Sequence, residues 1–154
     1  MHTAMIAKPG TRTITMKIKR CDGPGKPDRW ETFSLSVTTG QGMNIIAALQ
    51  EIAAKPVTVE GKRTTPVVWD SGCLEEVCGS CTMVINGKVR QTCSALMDQI
   101  APSDGDVVTI EPMSKFPVIR DLSVDRRRVF HALKRVRGWV PIDGTYALGP
   151  GPRE

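Results

Sequence analysis

Apolar and polar positions alternate from Thr11 to Arg20, placing Ile14, Met16 and Ile18 on one side of a period-two pattern that predicts a half-buried strand. Residues 30–37 supply a second extended run. The intervening Cys21-Asp-Gly-Pro-Gly-Lys-Pro-Asp28 is dense in turn formers, so the two runs form an opening hairpin. After Gly40 and Gly42 the period changes: Ile45, Ile46, Leu49 and Ile52 recur at helical spacing, Ala47, Ala48, Ala53 and Ala54 favour helix, and Pro56 blocks continuation. Further on, Thr82–Ile85 and residues 88–90 flank Asn86-Gly87, the strongest short signal for a type I′ hairpin. Residues 107–110 read as a closing strand. The order strand, strand, helix, strands describes a small mixed sheet clasping a helix, an α+β fold of the β-grasp kind over residues 11–112.

The character changes beyond Pro112. Phe116-Pro-Val-Ile-Arg-Asp-Leu-Ser123 reads as an extended link, Val129, Phe130, Leu133 and Val136 mark an amphipathic helix, and residues 141–154 are rich in Gly and Pro. Residues 113–154 are therefore expected to be a connecting segment with one helix and a truncated linker.

With 154 residues, 40% of them hydrophobic, the chain can bury a sizeable core. No stretch approaches the roughly 18 apolar residues of a membrane span, and the opening ten residues lack the apolar run of a secretory signal, so neither a direct span nor export is expected. The balance of 21 basic and 16 acidic residues is too mild to imply nucleic-acid binding without a recognition motif. Two basic stretches, Lys17, Lys19, Arg20, Lys26 and Arg29, and Arg126, Arg127, Arg128, Lys134, Arg135 and Arg137, read as solvated faces. There is no dinucleotide fingerprint and no nucleophile paired with a base, so no catalytic residue and no substrate chemistry are assigned. Trp30, Trp69 and Trp139 are read as packing residues.

Five cysteines without an export signal point to a reducing compartment, where clustered cysteines hold metal more often than disulfides. Cys73-Leu-Glu-Glu-Val-Cys78-Gly-Ser-Cys81, followed by Cys93, has the Cys-x4-Cys-x2-Cys spacing of plant-type [2Fe-2S] proteins. Two irons bridged by two sulfides need two thiolates each. A short loop can supply three by curling round the cluster, and the following hairpin can return the fourth, so Cys73, Cys78, Cys81 and Cys93 are the candidate ligands. Gly79, with no Cβ, permits positive φ and lets amide N–H groups point at sulfur. Such dipoles favour the reduced form, whose charge is more negative, whereas Asp70, Glu75 and Glu76 oppose it. Cys21 is left as a free thiol. A zinc or non-redox interaction module is the alternative from another class, although zinc sites usually pair Cys-x2-Cys with a second close pair of Cys or His.

These residues, with Met83-Val-Ile-Asn-Gly-Lys88 and Phe116-Pro-Val-Ile-Arg-Asp-Leu122, resemble the iron-sulfur subunit of succinate dehydrogenase and fumarate reductase. The likeness runs from about Ile14 to Arg153. It implies a [2Fe-2S] ferredoxin-like domain that takes electrons from an FAD-containing flavoprotein subunit. It further implies membrane anchor subunits reached indirectly and a peripheral place on the cytoplasmic side of the inner membrane. Some relatives carry Asp where this chain has Cys81, which implies that this ligand tolerates exchange. The family's second domain brings two further cysteine-rich runs that these residues do not contain, so the resemblance implies a fragment, a truncated product, or another polypeptide supplying the remaining clusters. The small iron-sulfur subunit of molybdenum hydroxylases shares the first ligand spacing, but carries a second cysteine quartet that Cys21 alone cannot make.

Overall fold

The computed structural model describes residues 10–138; the Gly/Pro-rich tail and Trp139 lie outside them. β1 (Thr11–Arg20) and β2 (Arg29–Thr38) pair antiparallel along their full length, with Thr11 opposite Thr38 and Arg20 opposite Arg29. The helix α1 (Ile45–Ala54) starts at Asn44, whose side chain accepts the Ala47 N–H and satisfies one orphan donor of the first turn. β3 (Thr82–Ile85) and β4 (Lys88–Gln91) form the expected hairpin, and Asn86 and Gly87 take the φ values of 48° and 75° that a type I′ turn requires. A short α2 (Met97–Ile100) leads to β5 (Val107–Glu111), which lies parallel to β1 and antiparallel to β3. The strand order β2-β1-β5-β3-β4 is a mixed five-stranded sheet, the β-grasp read from the sequence.

One face of that sheet carries the core. Ile14, Met16 and Ile18 of β1, Phe33, Leu35 and Val37 of β2, Met83 and Ile85 of β3, and Val108 and Ile110 of β5 are buried in one cluster with Ile45, Ala48, Leu49 and Ile52 of α1. The alternation in β1 continues one step further than its apolar residues. Arg20 falls on the same face and is fully buried, so it leaves the solvated basic stretch to which its charge assigned it.

The segment read as an extended link is extended, but it folds back on itself. β6 (Val118–Arg120) and β7 (Ser123–Val124) pair antiparallel about Asp121, which sits at φ 48°, and Asp121, Leu122, Ser123 and Val124 are buried. The Asp121 N–H donates to the Cys21 carbonyl at 2.8 Å and the Leu122 N–H to that of Val68 at 3.0 Å, contacts that no local pattern announces. Arg20 explains the rest. Its Nε donates to Asp121 Oδ1 at 2.9 Å, its Nη1 to Glu31 Oε2, and its Nη2 to the Thr65 carbonyl at 3.1 Å. A second cation, Arg29, donates from Nε to Glu31 Oε1 at 3.1 Å.

The chain divides into two compact units after Val124. The second contains α3 (Arg127–Arg135), the amphipathic helix expected from the sequence, with Val129, Phe130 and Leu133 exposed. Among the described residues no helix is long and apolar enough to cross a membrane.

Replacing Arg20 by Leu leaves the buried Asp121 carboxylate without a counter-ion and Glu31 with Arg29 alone, and the expected loss is about 3–5 kcal/mol of unfolding free energy. Urea denaturation of the iron-free protein measures it, and an unchanged midpoint would contradict the role given to Arg20. A second expectation concerns acid. The Gly40 N–H, at 2.9 Å, and the Arg12 guanidinium, at 2.7 Å, hold the Asp98 carboxyl below its ordinary 3.8. A depressed folded value adds stability above the unfolded value and loses it as pH falls through the folded one. Asp98→Asn should therefore be less stable than the parent at neutral pH and should converge with it below about pH 3.8 in parallel thermal melts.

Candidate metal centre

The cysteine loop has no helix or strand of its own, and its shape comes from residues in the left-handed region. Leu74, Glu76 and Gly79 have φ of 61°, 62° and 71°. For Leu and Glu this conformation costs on the order of 1–3 kcal/mol each, and it persists because the surroundings determine it. The turns point backbone N–H groups inward. Those of Glu75, Val77 and Cys78 donate to Cys73 Sγ at 3.4, 3.4 and 3.2 Å, and those of Cys73 and Ser80 to Cys78 Sγ at 3.3 and 3.4 Å. Cys73 and Cys78 are exposed and form one pair bound through each other's amides.

Cys81 and Cys93 are buried and form a second pair. With Ile46 of α1 and the half-buried Trp69 they make a small apolar cluster. Thr92, itself fully buried, sets their register: its N–H and its hydroxyl both donate to the Cys81 carbonyl, at 3.2 and 2.9 Å. Asn44 anchors the other side, its Nδ2 donating to the Cys93 carbonyl at 2.9 Å while its Oδ1 caps α1. The two pairs are neighbours. Ser94 Oγ donates to Glu76 Oε1 at 2.7 Å across the gap, and the Cys73 and Cys81 sulfurs both act electrostatically on Cys93. Among the described residues, no three Cys, His, Asp or Glu side chains gather round one point as a single ion would need.

The thiols differ in acidity. The Ser80 hydroxyl, then the Cys73 and Ser80 amides, bring Cys78 down from 9.0 to about 6. Burial works to raise Cys81, yet hydrogen bonds from Cys93 and Thr92 outweigh it and leave the thiol below its usual value. Burial, followed by the hydrogen bond with Cys81, pushes Cys93 up. Amide donors converging on sulfur are what a thiolate requires. The donor set thus suits a negatively charged iron-sulfur group, and the two-and-two grouping suits a group with two metal atoms.

The spacing led to the four cysteines and to Gly79. It did not lead to Leu74, Asn44, Thr92 or Ser94, nor to the positive φ of Glu76, since these depend on partners far along the chain or on backbone angles that the side chains do not advertise. Gly72 was within reach of sequence reasoning. A Cβ there would lie 2.9 Å from Cys78 Sγ and 3.3 Å from Ser80 Oγ, and a glycine one residue before a candidate ligand is a mark of close approach. Cys21 stays apart as a buried thiol, its Sγ donating to the Gly23 carbonyl at 3.1 Å.

A fold of this kind around four paired thiols defines an iron-sulfur protein, and comparison with known proteins agrees. Residues 15–131 match the family of the 2Fe-2S iron-sulfur cluster binding domain, and the chain belongs to that family. Its cofactor is a [2Fe-2S] cluster, not zinc. The chain is 51% identical over 142 residues to the succinate dehydrogenase iron-sulfur subunit of Bacillus subtilis, covering 92% of this chain and 54% of that protein. It is 31% identical to the subunit of the same name from Coxiella burnetii, covering 73% of this chain and 43% of the other. A fumarate reductase iron-sulfur subunit from Wolinella succinogenes is 38% identical over 73 residues, 47% of this chain and 29% of that protein. Among solved structures, a chain of the Mycobacterium smegmatis Sdh1 complex in the apo form has the same fold, with a TM-score of 0.65 at 24% identity over 94% of this chain and 54% of that one. The chain spans about half the length of the curated relatives it matches.

Gly72→Ala is expected to displace the Cys78 thiol and leave the protein with several-fold less tightly held iron, while the sheet and its circular dichroism stay unchanged. Iron determination after gel filtration measures this; full iron occupancy would show that the close approach is not needed.

Proposed function

We propose that Cys73, Cys78, Cys81 and Cys93 hold the [2Fe-2S] cluster, Cys73 and Cys78 on one iron and Cys81 and Cys93 on the other. We further propose that the chain is the cluster-bearing N-terminal part of a succinate dehydrogenase or fumarate reductase iron-sulfur subunit. The observation that carries the ligand assignment is the grouping of the thiols into two hydrogen-bonded pairs, one from the loop and one joining the loop's end to the β4 exit. The similarity to relatives so named carries the rest. When bound, the cluster supplies a reversible one-electron couple. The protein's part is to orient amides at sulfur, to bury one thiol pair under Trp69 and Ile46, and to leave the other pair at the surface. Electrons come from an FAD-containing flavoprotein subunit oxidising succinate, or pass the other way towards fumarate. Membrane contact is indirect, through anchor subunits on the cytoplasmic side of the inner membrane. No substrate is bound or transformed by these residues themselves.

Anaerobic reconstitution should give two irons and two acid-labile sulfides per chain. Ala at Cys73, Cys78 or Cys93 should abolish the visible absorption, because the remaining thiolates leave one iron with an open coordination position. Normal iron and absorption in any of the three variants would overturn the ligand assignment. With the flavoprotein subunit added, succinate should produce the paramagnetic signal of the reduced cluster. Its absence in a mixture that dithionite reduces normally would overturn the proposed partner.

A further inference from the structure

The run that enters the cysteine loop, residues 68–72, belongs to no strand or helix, and the β6–β7 hairpin holds it. Asp121 accepts the Val68 N–H at 2.9 Å, in addition to Arg20 Nε at 2.9 Å, Arg20 Nη2 at 3.2 Å and the Cys21 N–H at 3.1 Å. Leu122 donates its N–H to the Val68 carbonyl at 3.0 Å, so two consecutive hairpin residues grip both polar groups of Val68. Two positions on, the Ser123 hydroxyl donates to Asp70 Oδ2 at 2.8 Å. Two positions beyond that, Gly72 passes against Cys78 Sγ, and Cys73 then donates its N–H to the same sulfur. Ser123 is 6% exposed, and among the described residues its bond to Asp70 is the last side-chain tie before the cysteines.

We infer that Ser123 is a positioning residue for the [2Fe-2S] centre: through Asp70 it fixes the approach of Gly72 and Cys73 to Cys78 and orients the Asp70 carboxylate beside the loop. The inference rests on the assignment of Cys73 and Cys78 as ligands. Its role is separable from folding, because the grip of Asp121 and Leu122 on Val68 does not involve the Ser123 hydroxyl. It is also separable from charge, because Asp70→Asn keeps an acceptor oxygen while removing the negative charge.

The test uses the full chain, reconstituted anaerobically, with wild type analysed first. Failure of wild type to bind two irons and two sulfides would remove the ligand assignment itself, independently of Ser123. With wild type loaded, Ser123→Ala is expected to load normally, to lose iron to a chelator about fivefold faster, the equivalent of one hydrogen bond, and to show an altered electron paramagnetic resonance line shape after reduction. Ser123→Thr should restore both. Asp70→Asn should release iron at the wild-type rate but with a higher midpoint potential. If Ser123→Ala does not fold, Asp70→Ala set against Asp70→Asn makes the same comparison from the other end of the bond. Wild-type release and line shape in the variants lacking the bond would overturn the proposal, as would equally fast release from Ser123→Thr or Asp70→Asn.

Discussion

The buried guanidinium of Arg20 is the interaction on which the site depends. It brings together the end of β1, Glu31 of β2, the Thr65 carbonyl and Asp121 of the β6–β7 turn. Taking a charge out of water costs several kcal/mol per ion, and the cost is offset only when all the remaining donors and acceptors are engaged. Here they are, with Thr64 and Arg29 completing Glu31 and two backbone amides completing Asp121. An apolar core could stabilise the sheet as well. It could not specify where an irregular run of chain must lie, because dispersion contacts are not directional. The ion cluster gives residues 65–68 a single position, and the cysteine loop starts a few residues later.

From that fixed point the loop needs little stabilisation of its own. It is exposed and carries two non-glycine residues at positive φ, conformations that a free peptide would abandon. What holds them is the set of amide to sulfur contacts inside the loop, the Ser94 to Glu76 bond across its tip, and the Thr92 clamp on Cys81 where the loop joins β3. The Ser80 hydroxyl and the Cys73 and Ser80 amides favour ionised sulfur at Cys78 before any metal arrives, and metal binding by thiols proceeds with loss of their protons. Cys78 and Cys81 are thus arranged in the protonation sense that assembly demands, while burial sets Cys93 against it.

The fold was legible where periodicity and turn chemistry act locally. Alternation marked β1, the Ile and Ala spacing marked α1, and Asn86-Gly87 marked the β3–β4 turn, since each signal is complete within a dozen residues. Arg20 shows where such reasoning divides. Strand parity put it inside and its charge put it outside; parity won because Asp121, 101 positions away, supplies a buried counter-ion. The β6–β7 hairpin was missed for the same reason, its hydrogen bonds going to Cys21 and Val68 rather than to near neighbours. At the site, cysteine spacing picked out the candidate ligands, whereas Asn44, Thr92 and Ser94 are ordinary polar residues until the fold ties them to the cysteine backbone or to Glu76.

The difference in burial between the two thiol pairs has an electrostatic consequence. With the cluster on these four thiols as proposed, the Cys81 and Cys93 end lies against Ile46 and Trp69, where added negative charge is poorly solvated. The Cys73 and Cys78 end has five amide donors and open solvent, with Leu74 and Val77 exposed beside it at 52% and 80%. An added electron is therefore better stabilised at the exposed end. The carboxylates of Asp70, Glu75 and Glu76 oppose this, and the hydroxyls of Ser123 and Ser94 hold those of Asp70 and Glu76 in place without removing their charge. The fold thus stabilises charge at the same end of the centre that another protein can approach, and it does so with backbone dipoles whose directions were fixed when the loop was pinned.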